Sequence, residues 1–227
     1  MSKYSSKDPE EIDIKIILLG DQGVGKTNLI NLATEKEFNQ HEESTLTSSF
    51  STLKMEIDGI KFKVNLWDTV GQEKYRQIVK LFFTNSNIVI FVYDITSAES
   101  FKGIESWHEE IIERIGDDII KGVVGNKIDL FENEAVNEEE AEKYAKSINA
   151  KFLFISAKCD SPSKFENYLR ELLEEYISKN SLKKEKKEKE KRIRLNDEKY
   201  ISRRNKRFVI YEIFTWKNIF HSLFSKK

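Results

Sequence analysis

The sequence predicts an α/β fold, a six-stranded, mostly parallel sheet with one antiparallel hairpin at its edge and helices on both faces. Three observations carry this expectation. Short apolar runs alternate with stretches of helical spacing from Ile14 to Ser178. Asp58-Gly59 joins two β-type runs and is a favoured pair for a two-residue hairpin. Gly20-Asp21-Gln22-Gly23-Val24-Gly25-Lys26-Thr27 fits G-x-x-x-x-G-K-[ST] between a strand and a helix.

The elements follow in order. Ile14–Leu19 is an apolar run that reads as a buried first strand, and Gly25–Thr34 is the first helix. Asn39–Thr47 is polar and aperiodic and reads as a loop. Phe50–Ile57 and Ile60–Trp67 form the hairpin; in the second, Phe62, Val64 and Leu66 alternate with Lys61, Lys63 and Asn65, as a half-buried strand would. Glu73–Phe83 reads as a helix and Ile88–Tyr93 as a central parallel strand. Ser97 caps a helix over Ala98–Ile115. Lys121–Gly125 is a strand, Asn137–Ile148 a helix with an Asn cap and acidic first turn, Phe152–Ile155 the last strand, and Ser163–Ser178 the last helix.

The motifs fall at the ends of these strands, where such sheets place ligands. In the first loop, glycines let successive backbone N–H groups converge on phosphate oxygens, and the following helix adds the positive end of its dipole. Asn28 opens that helix beside Thr27. Lys26 would reach the outer phosphates, and the Thr27 hydroxyl would ligate Mg²⁺. Leu66-Trp67-Asp68-Thr69-Val70-Gly71-Gln72-Glu73 supplies a carboxylate, Asp68, that can hold the metal through water, and a glycine, Gly71, whose N–H can approach a γ-phosphate. Val124-Gly125-Asn126-Lys127-Ile128-Asp129 places a carboxylate, Asp129, with the two acceptor oxygens that guanine's N1–H and 2-amino group call for; adenine has no such donor pair. A backbone N–H of Ser156-Ala157-Lys158 could meet the guanine carbonyl.

With these four segments in order, residues 12–178 resemble the Ras-like small GTPases and, within them, the Rab family. Lys74-Tyr75-Arg76 and Val92-Tyr93-Asp94-Ile95-Thr96 are further Rab-like details. The resemblance implies a P-loop NTPase G domain that binds GTP and GDP with Mg²⁺ and slowly hydrolyses GTP. It implies Thr45 as the switch I threonine that coordinates Mg²⁺, Phe38 as the ring against guanine, and Gln72 as the glutamine that orients the attacking water. Lys26 would stabilise charge developing on the phosphates. The ligand set is then Gly20 to Asn28, Phe38, Thr45, Asp68, Gly71, Asn126, Lys127, Asp129 and Ser156 to Lys158, with Thr27, Thr45 and Asp68 serving the metal. Effectors at switch I and switch II, an exchange factor and a GTPase-activating protein are the implied partners.

Four departures bear on hydrolysis and on partner choice. Gln22 stands where Ras has glycine and most Rabs have serine, Val70 replaces the usual alanine, and Thr47 replaces a glycine. Phe82-Phe83-Thr84 replaces the Tyr-Tyr-Arg typical of Rabs. Two readings therefore stand side by side: a hydrolysing switch in vesicle and membrane traffic, and a GTP-bound interaction scaffold with little hydrolysis. A small-molecule phosphotransferase would share the phosphate loop but leaves the Asn126–Asp129 and Ser156–Lys158 segments unexplained.

The net charge of −1 hides a divided chain. Residues 179–227 carry 17 Lys/Arg against 6 Asp/Glu, a net of +11; the other 21 basic and 33 acidic residues leave 1–178 at −12. An acidic body argues against nucleic-acid binding. The single cysteine, Cys159, excludes an internal disulfide and suits a reducing compartment, so a cytoplasmic protein is expected; the resemblance to Rabs implies a peripheral place on endomembranes. Met1–Glu11 is a polar N-terminus without the apolar core of a secretory leader. Residues 179–207 are a charged linker or an extension of the last helix.

Residues 208–227 form an amphipathic aromatic tail. Val209, Ile213, Trp216, Phe220, Leu223 and Phe224 share a stripe about 100° wide at helical spacing. Typical Rabs end in prenylated cysteines; this chain ends Phe224-Ser225-Lys226-Lys227. The stripe, with the Arg203–Arg207 cluster beside it, suits a membrane interface, and equally a contact with protein.

Overall fold

The computed structural model describes residues 11–36, 38, 49–69, 76–183 and 187–188. The chain divides into two units, 1–176 and 177–227. In the second, the described residues 177–183 and 187–188 are helical.

The first unit holds a six-stranded sheet. Its strands are β1 (Ile12–Leu19), β2 (Ser49–Ile57), β3 (Ile60–Asp68), β4 (Ile88–Asp94), β5 (Ile120–Asn126) and β6 (Ala150–Ile155). Their spatial order is β2-β3-β1-β4-β5-β6. Only the β2–β3 pair is antiparallel; β1 pairs with β3 and β4, and β4–β5 and β5–β6 are parallel. The hairpin turns at Asp58 (φ 51°) and Gly59 (φ 77°), the two positive angles that a type I′ turn needs. All seven residues of β4 and of β5 are buried, as central parallel strands between helical layers must be. β3 alternates buried and half-buried positions.

The helices of this unit are α1 (Lys26–Ala33), α2 (Arg76–Val79), α3 (Ala98–Ile115) and α4 (Glu138–Ser147), followed by α5 over 162–176. Short 3₁₀ helices span Lys80–Phe82 and Ile128–Asn133. Against one sheet face, Ile104, Trp107 and Ile111 of α3 and Ala141 and Ala145 of α4 pack on Leu19, Phe91, Tyr93 and Val123. On the other face, Tyr168 of α5 donates its hydroxyl hydrogen towards Val123 O (3.3 Å) and Lys151 O (3.0 Å). It packs where a Cβ on Gly122 would stand 2.2 Å from its hydroxyl and 3.5 Å from Ile90.

Both expected caps form. Ser97 Oγ accepts from Ser100 N–H at 3.1 Å, and Asn137 Oδ1 accepts from Glu140 N–H at 2.8 Å. The described part of the helix expected over Glu73–Phe83 is one α turn at Arg76–Val79 that tightens into 3₁₀ at Lys80–Phe82. Lys15 Nζ draws that end towards β1 by donating to Phe82 O (2.6 Å) and Thr84 O (3.0 Å). Most of the loop expected over Asn39–Thr47, and the tail 208–227, lie outside the described residues.

Candidate nucleotide-binding site

β1 ends at Leu19, and Gly20–Gly25 turns the chain into α1. Gly25 has φ +94°, and a Cβ there would stand 2.3 Å from Asn126 Nδ2. Only glycine meets both the backbone angle and the close approach. Asn126, 2% exposed at the end of β5, donates from Nδ2 to Val24 O at 2.9 Å. Its Oδ1 accepts the Ala157 N–H at 3.0 Å. One amide thus ties the phosphate loop to the Ser156–Lys158 segment.

Lys26 opens α1 and is 5% exposed. Its Nζ donates to Gly20 O (2.7 Å) and Asp21 O (2.8 Å), closing the loop on itself. Burial pushes its pKa down to about 8, while the charges of Asp68 and Asp21 act the other way. Thr27 Oγ1 donates to Asp68 Oδ2 at 2.8 Å, with Asp68 buried at the end of β3. Hydroxyl and carboxylate oxygens in contact beside a phosphate loop are hard donors of the kind Mg²⁺ takes. Among the described residues no group of three His, Cys, Asp or Glu could hold an ion unaided. The protein's oxygens fit Mg²⁺ as part of a shell that phosphate oxygens would complete.

Asp21 is held from the side of α3. Trp107 Nε1–H donates to Asp21 Oδ1 at 3.2 Å, and a Cβ on Gly103 would stand 2.6 Å from Asp21 Oδ2. Gln22 and Gly23 are exposed on the loop, and Asn28 is half-buried.

On the base side, Asp129 lies in the 3₁₀ helix Ile128–Asn133 and its Oδ1 accepts from Ser156 Oγ at 2.5 Å. That hydroxyl oxygen in turn accepts from Lys158 N–H (3.2 Å) and Cys159 N–H (3.1 Å). Ser156 N–H donates to Asp160 Oδ2 at 2.8 Å. Lys127 stands at φ 68°, and its Nζ pairs with Asp94 Oδ2 at 2.5 Å. Asp94 Oδ1 accepts from Thr96 N–H (2.9 Å) and Thr96 Oγ1 (2.7 Å).

The structure therefore brings Gly20–Asn28, Asp68, Asn126, Asp129 and Ser156–Lys158 to the carboxyl ends of β1, β3, β5 and β6. Phe38 is 39% exposed. Thr45, Gly71 and Gln72 lie outside the described residues. Asp94, Trp107 and Asp160 support the site without a motif that marks them for that role. An aromatic row joins β2, β3 and the 3₁₀ helix Lys80–Phe82. Phe50, 56% exposed, stacks on Trp67 at 5.1 Å, and Trp67 meets Phe82 at 5.4 Å. Lys15 Nζ lies 4.6 Å from the Trp67 ring centre, and burial lowers its pKa.

A model of the Ras family matches residues 15–178. The Ras-related protein Rab-21 of Homo sapiens is 41% identical over 144 residues, 63% of this chain and 64% of the relative. Rab-21 of Geodia cydonium is 38% identical over 157 residues, 69% of each chain. The GTP-binding protein ypt3 of Schizosaccharomyces pombe is 40% identical over 143 residues, 63% of this chain and 67% of the relative. The match thus spans a little under two thirds of the human relative's length. With most of its length matched to the family and with these relatives beside it, the chain belongs to the Ras family, as a Rab-like member.

Proposed function

We propose that the chain is a guanine-nucleotide switch that binds GTP and GDP with Mg²⁺ and slowly hydrolyses GTP in the service of membrane traffic. The observation that carries this reading is the Asn126 amide, which holds a phosphate loop and a base-side loop in one assembly. Lys26 brings an ammonium to that loop and would donate to the outer phosphate oxygens. Mg²⁺, when bound, would neutralise charge on the β- and γ-phosphates, held by Thr27 and Thr45 and, through water, by Asp68. Asp129 would accept from guanine N1–H and the 2-amino group, with Ser156 fixing its carboxylate. Gln72 would orient the attacking water. Thr45 and Gly71 would order switch I and switch II around a γ-phosphate and so present an effector surface. The Phe50–Trp67–Phe82 row, with Phe50 56% exposed and Trp67 and Phe82 half-buried, suits such a surface.

Asp129→Asn tests the assignment. The amide should weaken GTP and improve xanthosine triphosphate, whose 2-oxo group accepts where guanine's amine donates. A competition titration in which the variant keeps the wild-type preference for GTP would remove Asp129 from the base site.

A further inference from the structure

We propose that the groove between the 3₁₀ helix Ile128–Asn133 and the start of α4 docks a partner-protein segment that sets Arg or Lys beside a bulky aliphatic side chain. The groove encloses about 410 Å³; Ile95, Ile128, Phe131 and Phe154 line it, with Glu134 and Glu138 among its carboxylates. It rests on none of the nucleotide assignments above.

Its apolar part is unusual. Phe131 is 67% exposed, and its neighbour Leu130, which stands at a kink in this 3₁₀ segment (φ −102°, ψ 30°), is 41% exposed. Ile95 is buried at its base, while Ile128 and Phe154 are half-buried. A partner's aliphatic side chain could cover the Phe131 ring and fill this space.

The polar part fixes the partner's sign. Glu134, Glu138 and Glu139 line the groove, and no Lys or Arg does. The first turn of α4 explains Glu138 and Glu139, which meet the positive end of the helix dipole. Glu134 precedes the Asn137 cap and has no such reason to be acidic. Behind the groove, the Tyr93 hydroxyl is buried without a hydrogen-bond partner, and its pKa is raised by burial first and then by Glu134, Glu138 and Glu140. Two of these carboxylates, Glu134 and Glu138, also line the groove. An acidic segment would be repelled, and a wholly apolar one would strip water from carboxylates and return nothing. A basic segment answers both terms.

The test uses the full chain and a short fluorescein-labelled peptide alternating Arg and Leu, followed by fluorescence anisotropy. The peptide should bind, and its Glu-Leu counterpart should bind about tenfold more weakly or worse. Phe131→Ser and Glu134→Lys change exposed residues, so the fold should survive, as thermal melting can verify. Each should weaken the Arg-Leu peptide by about fivefold or more, while Glu113→Lys should leave it unchanged. Glu113 is exposed near the far end of α3, which starts beside Ile95 and ends at Ile115. Absence of peptide binding would overturn the proposal. So would equal weakening by Glu113→Lys, which would mean diffuse attraction to an acidic body. A dimer seen in sedimentation equilibrium and dissolved by Phe131→Ser would assign the groove to a second copy and overturn the partner reading.

Discussion

Lys26 is the residue whose environment conflicts most with its charge. It is 95% removed from solvent by burial, reading 5% exposed, and burial takes its pKa from 10.5 to about 8. The sign of the consequence follows. Below pH 8 both folded and unfolded chains carry the proton, and the burial cost of the ammonium is fully present. Between about pH 8 and 10.5 the unfolded chain binds more protons, so stability of the nucleotide-free protein rises with pH through that window. With Lys26 holding the phosphates as proposed above, nucleotide binding needs the ammonium and runs the opposite way. Affinity for GDP should fall by up to about tenfold per pH unit above pH 8, and Lys26→Met should flatten that part of the profile. Titrations of both proteins from neutral to mildly alkaline pH check this, with the variant subtracting the ionisation of guanine itself. The exposed Gln22 belongs to the same loop. If its side chain crowds a γ-phosphate, Gln22→Gly should hydrolyse GTP as fast or faster in single turnover, whereas Gln72→Leu should slow. A large loss of rate in Gln22→Gly with GTP affinity kept would make Gln22 itself catalytic. The phosphate loop was legible in the sequence because its spacing is local. Trp107 and Asp94 were not, because their partners Asp21 and Lys127 are brought in by the packing of α3 and the turn after β5.

At the scale of elements, periodicity and punctuation agree with the fold where a local cause acts alone. The hairpin turns where Asp58-Gly59 supplies two positive φ angles, and α3 starts at a serine whose oxygen takes a free N–H. Ser97→Ala should cost about 1 kcal/mol of stability, and Asn137→Ala a similar amount. Urea unfolding of each variant measures this; a midpoint unchanged from wild type would mean that water replaces the cap without loss. Local causes do not predict the 3₁₀ helix Ile128–Asn133. It is entered through Lys127 in a left-handed conformation, while Asp94 fixes that side chain from the neighbouring strand. Nor do they predict the change from α to 3₁₀ at Lys80, where Lys15 of β1 takes the carbonyls at the end. In both cases a side chain from another strand helps set the geometry.

For the whole molecule the governing fact is the division of charge, −12 over residues 1–178 against +11 over 179–227. No described helix is long and apolar enough to cross a membrane. Residues 208–227 lie outside the described residues, and we propose on their sequence that they attach the protein to anionic membranes. Each apolar side chain of the stripe contributes roughly 1.5–3 kcal/mol at full burial. Each basic residue near an anionic surface adds about 1 kcal/mol. The acidic body opposes that attraction, but its repulsion is screened beyond about 10 Å at moderate salt, whereas inserted rings are not. Unmodified full-length protein should therefore sediment with anionic liposomes; Trp216→Glu should release it, and raised salt should weaken the binding. If neither the full chain nor residues 1–178 alone sediments, the tail's role passes to a protein contact.

Asn126 uses both ends of one amide on two loops, and this makes the site bivalent. The pieces that would meet a purine and those that would meet a phosphate chain are held at a set separation before any ligand arrives. A nucleoside and a pyrophosphate bound apart would each bear their own loss of translational freedom. Joined in one molecule they bear it once, and the second contact forms at the high effective concentration that the linkage imposes. Loss of the amide would leave each half-site chemically complete but let the distance between them fluctuate. The joined ligand would then lose far more affinity than its two fragments.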